Sequence, residues 1–240
     1  MIMASGLFVL WTAQFWNIQQ VEIKGATVNT ENYVQAFVEK EQLQGKHLLK
    51  VNPLELKKAL EANPLVKQVT FEREILPANL TLKVQERLPR YLLYSTLPLY
   101  DKTAKKLQLT ERYAKIIDAE GIVLPIPAKR FEYVGPHFYL KPGLIKKKLS
   151  VDHLNLIREL EALDEKRLLE HSGVFDISDP QNLVFHLNDP ALRIWLGMPE
   201  DLLLKMQLID STYKGSDVPE PEIEYIDLRF WKHPVVKKRT

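Results

Sequence analysis

The sequence contains no cysteine, which excludes disulfide bridges, thiolate metal ligands and a cysteine nucleophile. This lack does not indicate a redox compartment, because a cysteine-free chain folds in either environment. Glycine is scarce, with nine in 240 residues, and none forms a phosphate-binding loop, a dinucleotide fingerprint or a GxSxG motif. Lys and Arg total 33 against 31 Asp and Glu. The resulting net charge of +2 does not indicate a nucleic-acid-binding protein.

Histidine and carboxylate patterns give no indication of a catalytic or metal site. No two of the six histidines stand at a ligand spacing such as i, i+4 with a third donor in sequence reach. His186 lies in the alternating stretch LVFHL and is expected on one face of a strand. Acidic residues are plentiful, but no pattern favours an acid–base pair over solvated surfaces. We therefore predict no catalytic residue, no metal ligand, no cofactor and no small-molecule substrate.

The first residues, MIMASGLFVLWTAQFW, are apolar, and no charge occurs before Glu22. This run predicts a membrane anchor over residues 1–17, with its aromatic residues at the lipid interface. Sixteen helical residues span about 24 Å, less than the ~30 Å hydrocarbon core, so we expect an incomplete transmembrane helix. A signal peptide and a buried core helix are the alternatives. The predicted anchor residues are Leu7, Phe8, Val9, Leu10, Trp11, Phe15 and Trp16.

Residues 18–89 combine three strand patterns with two helix patterns. IQQVEIKG, VKQVTFERE and NLTLKVQER alternate with period two. The second helix pattern has Asn52 as a cap, Pro53 at the first helical position, and Leu56 and Leu60 as an apolar stripe. Three strands in one sheet with both helices on its apolar face predict a small β-α-α-β-β domain.

Residues 90–231 predict a second domain, mainly antiparallel β with two helices, so the expected class is α+β. The helices are predicted between Ser150 and Gly173 and between Pro199 and Gly215. YIDLRFW predicts a final strand. We expect residues 232–240 to be a disordered basic tail, because Pro234 breaks continued strand pairing.

Four segments resemble the FtsQ/DivIB family of bacterial cell-division proteins. VEIKGATVNTENYV and GKHLLKVNPLELKKALEANPLVKQVTFEREILPANLTLKVQERLP are similar to its POTRA domain. KIIDAEGIVLP is similar to the start of the family's β domain, and YIDLRF to its closing strand. The resemblance covers residues 18–231. The residues that match the POTRA pattern are Gly45, Leu48, Leu49, Val51, Pro64, Val66, Glu86, Arg87 and Pro89.

The resemblance implies a single-pass plasma (inner) membrane protein at the division septum, with its bulk on the periplasmic or extracytoplasmic side. It implies a scaffold without enzymatic activity. Its POTRA domain would contribute to recruitment, and its β domain would bind the small coiled-coil partners FtsB (DivIC) and FtsL. Family members carry a basic cytoplasmic tail before the span, and the sequence departs from the family pattern there.

We expect residues 225–231 to form or neighbour the docking edge, because an exposed strand edge can accept an extended partner segment as an added strand. Alternation places Ile226, Leu228 and Phe230 on the inward face. Tyr225 and Trp231 lie on the other face and are candidate contact aromatics. An internal strand with a merely solvated face is the alternative. The predicted partner-binding residues are Tyr225, Ile226, Asp227, Leu228, Arg229, Phe230 and Trp231.

Two other functions fit parts of the pattern. A protein of outer-membrane assembly or transport also uses POTRA domains, but it should show several such modules followed by long barrel strands. A periplasmic cell-wall enzyme would need a convergent pocket, which the sequence does not indicate.

Overall fold

The chain divides after Leu88 into two compact units, an N-terminal unit of residues 1–88 and a C-terminal unit of residues 89–240. Helices and strands are numbered below in chain order. The computed structural model describes residues 16–28, 30–97, 99–101, 106–108, 113–165, 173–187, 192–216, 219 and 222–239.

The N-terminal unit contains one three-stranded sheet and two helices. Its elements are β1 (Gln20–Lys24), α1 (Glu31–Lys40), a 3-10 turn (Leu48–Lys50), α2 (Pro53–Glu61), β2 (Val66–Glu74) and β3 (Asn79–Glu86). The central strand β3 pairs in parallel with β1 and antiparallel with β2. Val34 of α1, Leu60 of α2 and Leu82 of β3 are fully buried in one core. The predicted β-α-α-β-β order is confirmed.

Helix α2 begins and packs as its local sequence predicts. The side chain of Asn52 accepts a hydrogen bond from the Leu54 backbone N–H at 3.1 Å, and Pro53 occupies the first helical position. Leu56 and Leu60 are its buried residues. Their spacing of four puts both on one face, which closes over the sheet.

The C-terminal unit is built on a nine-stranded sheet with two helices. Its strand order is β14-β13-β12-β11-β10-β9-β4-β7-β8, and β5 and β6 form a separate hairpin. The elements are β4 (Pro89–Tyr94), β5 (Leu99–Asp101), β6 (Lys106–Gln108), β7 (Ala114–Asp118), β8 (Val123–Leu124), β9 (His137–Tyr139), α3 (Val151–Glu165), β10 (Gly173–Asp176), β11 (Leu183–Leu187), β12 (Leu192–Gly197), α4 (Leu202–Lys214), β13 (Ile223–Asp227) and β14 (Val235–Lys238). Short 3-10 turns occur at Ala128–Arg130 and Pro142–Leu144.

The nine-stranded sheet is mixed. Five of its neighbouring strand pairs are antiparallel, as predicted, and three are parallel: β4–β9, β9–β10 and β12–β13. Two of the parallel pairs arise because a helix connects their strands, α3 between β9 and β10 and α4 between β12 and β13. A helical crossover returns the chain in the same direction, and short alternating strand patterns do not reveal this.

Both helices pack on the same face of this sheet. One row of side chains runs across the strands, set by the register from Phe138 through Phe175 and Phe185 to Ile194 and Ile226. All five are at most 2% exposed and share a core with the apolar faces of α3 and α4. The opposite face of the sheet is therefore free of these helices.

Two expectations about the ends of the chain have different outcomes. Residues 232–240 were expected to be disordered, but Val235–Lys238 forms β14, so that expectation is wrong. Pro234 stops β13 from continuing but precedes a new strand, a position that proline tolerates. In the described part of the chain no helix is long and apolar enough to cross a membrane. The predicted anchor residues 1–15 lie outside the described residues.

Candidate partner-binding surface

The two edges of the nine-stranded sheet are covered differently. At one edge, the Val123 N–H of β8 donates to the Lys147 carbonyl at 3.0 Å, and Ile122 forms a β-bridge with Lys148. At the other edge, β14 pairs only with β13 among the residues described here. Alternate backbone N–H and C=O groups of β14 therefore point away from the sheet. Strand β14 is the sheet's open edge in the described structure.

Side chains of β14 alternate between the core and the outer face of the sheet. Val236 is opposite Ile226 and packs against the core. Lys237 is opposite Tyr225, and Val235 is 56% exposed. An approaching strand would therefore meet the apolar side chain of Val235 and the cationic side chain of Lys237 on the outer face.

The end of β14 is fastened to the start of β13. The Lys238 Nζ lies 2.6 Å from the Glu222 Oε2, and the Arg239 N–H donates to the Glu222 carbonyl at 2.7 Å. These contacts hold the C-terminal end of β14, and the connection from β13 holds its other end. The open edge is thus presented on an ordered strand.

Asp227 and Arg229 shape the connection that leaves β13. The Asp227 carboxylate accepts hydrogen bonds from the Arg229 backbone N–H at 3.0 Å and from Nη2 at 2.6 Å. The hydrogen bonds from the Arg229 side chain hold the pKa of Asp227 below its ordinary value, although burial opposes them. Arg229 also lies over the Trp195 ring, with Cζ 5.3 Å from the centroid. The turn is therefore fixed to the outer face of the sheet.

Trp231 is tied to a different element. Its Nε1–H donates to the Asp201 Oδ2 at 3.1 Å, just before α4 begins at Leu202. Asp201 has a φ of 56°, a left-handed conformation that aspartate adopts more readily than most residues. The contact joins the β13–β14 connection to the start of α4.

A cleft of about 370 Å³ lies between these segments. Met198, Asp201, Lys205, Phe230 and Trp231 are among the residues that line it. The Lys205 Nζ donates to the Met198 carbonyl at 2.7 Å, and burial lowers the pKa of the Lys205 ammonium despite the nearby Asp201 carboxylate. The cleft thus combines the apolar side chains of Met198, Phe230 and Trp231 with polar and charged ones, among them the hydrogen-bonded Lys205.

The structure places the predicted site residues differently from the alternating pattern. Ile226 and Leu228 are buried as predicted, but Phe230 is 77% exposed, so its predicted inward position is wrong. The strand ends at Asp227, and the turn that follows no longer alternates. Strand β13 is internal, because it pairs with β12 on one side and β14 on the other, so the predicted segment neighbours the edge and does not form it.

Sequence reasoning missed the edge strand itself. The adjacent β-branched residues Val235 and Val236 after Pro234 were an available signal, since valine favours strands and proline is tolerated beside an edge strand. The position of Asp201 beside Trp231 had no comparable signal, because 30 residues separate the two.

Two further points concern the predicted membrane anchor and a possible metal site. Among the predicted anchor residues only Trp16 is described, and its ring stacks on His47 with 6.3 Å between centroids. In the described residues no group of three or more His, Asp or Glu side chains is placed to hold a metal ion.

The family comparison concerns the N-terminal unit. The family model described as "POTRA domain, FtsQ-type" matches residues 16–87, under a third of the chain. No curated protein matches the chain. The matched range contains β1 through β3 and ends at the Glu86-Arg87 pair. The N-terminal unit therefore carries an FtsQ-type POTRA domain, which supports the resemblance of the chain to the FtsQ/DivIB family of bacterial cell-division proteins.

Proposed function

We propose that the protein is a non-enzymatic scaffold of the bacterial division machinery, anchored in the plasma (inner) membrane, with its bulk on the extracytoplasmic side at the septum. The FtsQ-type POTRA domain supports the role in division. The apolar run before Trp16 supports the anchor. The C-terminal unit would carry the partner-binding function.

The observation that carries the partner-binding proposal is the edge strand β14, whose outer side pairs with no strand among the described residues, in contrast to the covered edge at β8. A partner segment can add to β14 as a further strand, with backbone hydrogen bonds providing affinity and side chains providing specificity. Phe230 and Val235 are exposed beside this edge and offer apolar contact. This geometry suits small partners of the FtsB/DivIC and FtsL type, which would supply an extended segment.

Charge favours a different protein over a second copy as the partner. Lys237 and Lys238 lie on the edge strand, and lysines on an edge disfavour pairing with an identical strand. Lys238 is already paired with Glu222, whereas Lys237 is exposed on the outer face. A partner strand with a carboxylate opposite Lys237 would offset the repulsion.

Two proline variants of the full-length protein test the edge directly. Backbone N–H groups of consecutive strand residues point in opposite directions, so one of Val236→Pro and Lys237→Pro removes a bond to β13 and the other removes an outward donor. Thermal unfolding identifies the less destabilised variant. That variant should capture an FtsB- or FtsL-type partner at least about tenfold more weakly than the parent protein, a loss of ~1.4 kcal/mol.

A proline in the hairpin β5–β6 serves as the control. Leu107→Pro alters a strand of this separate hairpin and leaves the nine-stranded sheet unchanged. Its partner affinity should equal that of the parent protein. Full affinity in the less destabilised β14 variant would show that β14 is not the docking edge.

A further inference from the structure

The N-terminal unit has two ends, which its strand register defines. Gln20 of β1 is opposite Asn79 of the parallel strand β3, and the Gln19 N–H donates to the Ala78 carbonyl at 2.8 Å. The β2–β3 turn at residues 75–78 therefore lies where the chain enters the unit. The Ile18 N–H donates to the Lys46 carbonyl at 3.0 Å, which places the segment before the 3-10 turn there as well.

We call this end the entry end and define it as residues 16–19, 45–54 and 75–78. The Arg73 Nη2 donates to the Val51 carbonyl at 2.6 Å, which joins the start of α2 to the end of β2 on this side. At the opposite end, the Thr27 N–H donates to the Glu86 carboxylate at 2.7 Å. The eight residues of β3 separate the two ends by about 26 Å.

The entry end exposes apolar side chains. Leu76 is 79% exposed and Ile75 is 53% exposed, both at the tip of the β2–β3 turn, where polar turn residues are usual. Leu49 and Leu54 are also exposed and flank Val51 in sequence. These four residues belong to two separate segments that the fold brings to one end of the unit.

The chain itself indicates what covers this surface. Trp16 ends the apolar run and begins the entry end, so one Cα–Cα step of about 3.8 Å separates it from Phe15 of the run. Trp16 stacks on His47, next to the 3-10 turn that carries Leu49. An apolar run that enters a bilayer must bring the entry end to the bilayer surface.

We propose that the entry end is a membrane-contacting surface, with Ile75 and Leu76 inserted into the lipid interface beside the anchor. This inference rests on the proposed membrane anchoring and adds a second point of lipid contact. Two contacts fix the tilt of a domain at the membrane surface, whereas one flexible tether does not. The N-terminal unit would then stand on the membrane in one orientation.

The contact depends on apolar insertion and not on anionic lipid. The entry end itself carries Lys46 and Lys50, and carboxylates in the segments that adjoin it in the sequence offset these cations, so no strong net attraction to a charged surface is expected. Counted with these segments, the cations are Lys40, Lys46, Lys50 and Arg73, and the carboxylates are Glu39, Glu41, Glu55 and Glu74. Binding should therefore persist at high salt, where electrostatic attraction is screened.

The cysteine-free sequence permits a direct test with single spin labels. Leu76→Cys reports on the entry end, and Val28→Cys is the matched control, an equally exposed apolar residue at the opposite end. Each full-length variant is labelled with a nitroxide and placed in phosphatidylcholine nanodiscs. The ratio of collisions with oxygen to collisions with a water-soluble nickel chelate should be several-fold higher at Leu76→Cys. It should not change in 1 M salt.

The outcomes separate this inference from the anchoring on which it rests. If the protein enters the disc but both labels show the same water-like ratio, the entry-end contact is overturned and the anchor stands. If the protein does not enter the disc, both are overturned. If labels at Leu76→Cys broaden one another and dilution with unlabelled protein removes the broadening, a second copy covers the surface and the lipid contact is overturned.

Discussion

The carboxylate of Glu86 accepts hydrogen bonds from both the backbone N–H and the hydroxyl of Thr27, each at 2.7 Å, across 59 positions of the chain. The Thr30 hydroxyl donates to the same carboxylate. These bonds tie the segment before α1 to the last residue of β3. Glu86 belongs to the ER-x-P segment that resembles the family, and the structure gives this glutamate a structural role.

Replacing Glu86 with glutamine should destabilise the N-terminal unit in a pH-dependent way. Burial raises the pKa of Glu86, but the hydrogen bonds from Thr30 and Thr27 outweigh it and lower the pKa below the ordinary 4.5. The carboxylate therefore stabilises the fold fully above the unfolded-state pKa, and this contribution is lost as pH falls through the folded-state pKa. We expect Glu86→Gln to cost about 1 kcal/mol near pH 7.

Urea unfolding of parent and variant proteins between pH 3 and 7 measures this difference. Glu39→Gln is the control, because Glu39 is exposed and its side chain accepts a hydrogen bond from Gln35 on the same helix. Its midpoint should stay close to that of the parent protein. A Glu86→Gln deficit that is as large at pH 3 as at pH 7 would contradict the linkage.

Two glycines in the N-terminal unit should respond differently to alanine. Gly25 and Gly45 both have a φ near +80°, where an alanine costs about 1–2 kcal/mol. A Cβ on Gly25 would lie 2.4 Å from the Val84 carbonyl oxygen, whereas a Cβ on Gly45 meets nothing within 4 Å. Gly25→Ala should therefore lose about 1–3 kcal/mol more than Gly45→Ala.

Chemical denaturation of the two variants gives the comparison directly, since each serves as the other's control for backbone strain. Equal losses of stability would mean that β1 and β3 move apart at no cost and that the close approach at Gly25 is unimportant.

The contrast between α2 and β14 shows what the sequence could predict. The cap at Asn52 and the stripe of Leu56 and Leu60 act over distances of a few residues, so their pattern was sufficient. Strand β14 exists because Val236 pairs with Ile226 after an intervening turn, and its status as an edge depends on what does not lie beside it. No local pattern contains that information.

The candidate partner-binding surface could likewise be predicted from the sequence only in part. Burial of Ile226 and Leu228 followed from alternation, because both lie in or next to a regular strand. The exposure of Phe230 did not, because the Asp227–Arg229 hydrogen bonds turn the chain out of the strand before that residue. These hydrogen bonds between residues two positions apart end the alternation of inward and outward side chains earlier than the sequence pattern predicts.

Breaking the Asp227–Arg229 pair should loosen the turn that leads into β14. Arg229 is 47% exposed, so the ion pair contributes at most about 1 kcal/mol after solvent screening. Asp227→Asn should lower stability by that amount near pH 7. Because the folded-state pKa of Asp227 is lowered, the difference should disappear as pH falls through that value.

Trp195 is one of the four tryptophans whose fluorescence reports on unfolding, and the guanidinium of Arg229 lies over its ring. Unfolding is followed by tryptophan fluorescence, with Asp210→Asn as the control for an exposed ion pair, that of Asp210 with Lys214 on α4. The control should stay within a few tenths of a kcal/mol of the parent protein. An Asp227→Asn variant as stable as the control at pH 7 would show that the pair does not hold the turn.

The aromatic residues around β14 should carry much of the partner affinity. Tyr225 lies on the outer face, with its ring centroid 6.5 Å from that of Trp195, and Phe230 and Trp231 flank the cleft beside α4. Exposed aromatic residues next to an open edge are typical interface anchors. Alanine at Phe230 or Trp231 should weaken binding of an FtsB- or FtsL-type partner about tenfold or more, a loss of ~1.4 kcal/mol.

Phe230→Ala and Trp231→Ala should differ in their effect on stability. This difference distinguishes the loss of a partner contact from damage to the fold. Phe230 is largely exposed, so Phe230→Ala should leave thermal stability unchanged, whereas Trp231→Ala also removes the bond to Asp201. Val134→Ala, at an exposed apolar residue outside the edge region, is the control for nonspecific apolar contact. Calorimetric titration supplies the affinities. Full affinity in Phe230→Ala, Trp231→Ala and Tyr225→Ala, each with an intact fold, would place the partner elsewhere on the protein, because no aromatic anchor would then remain beside β14.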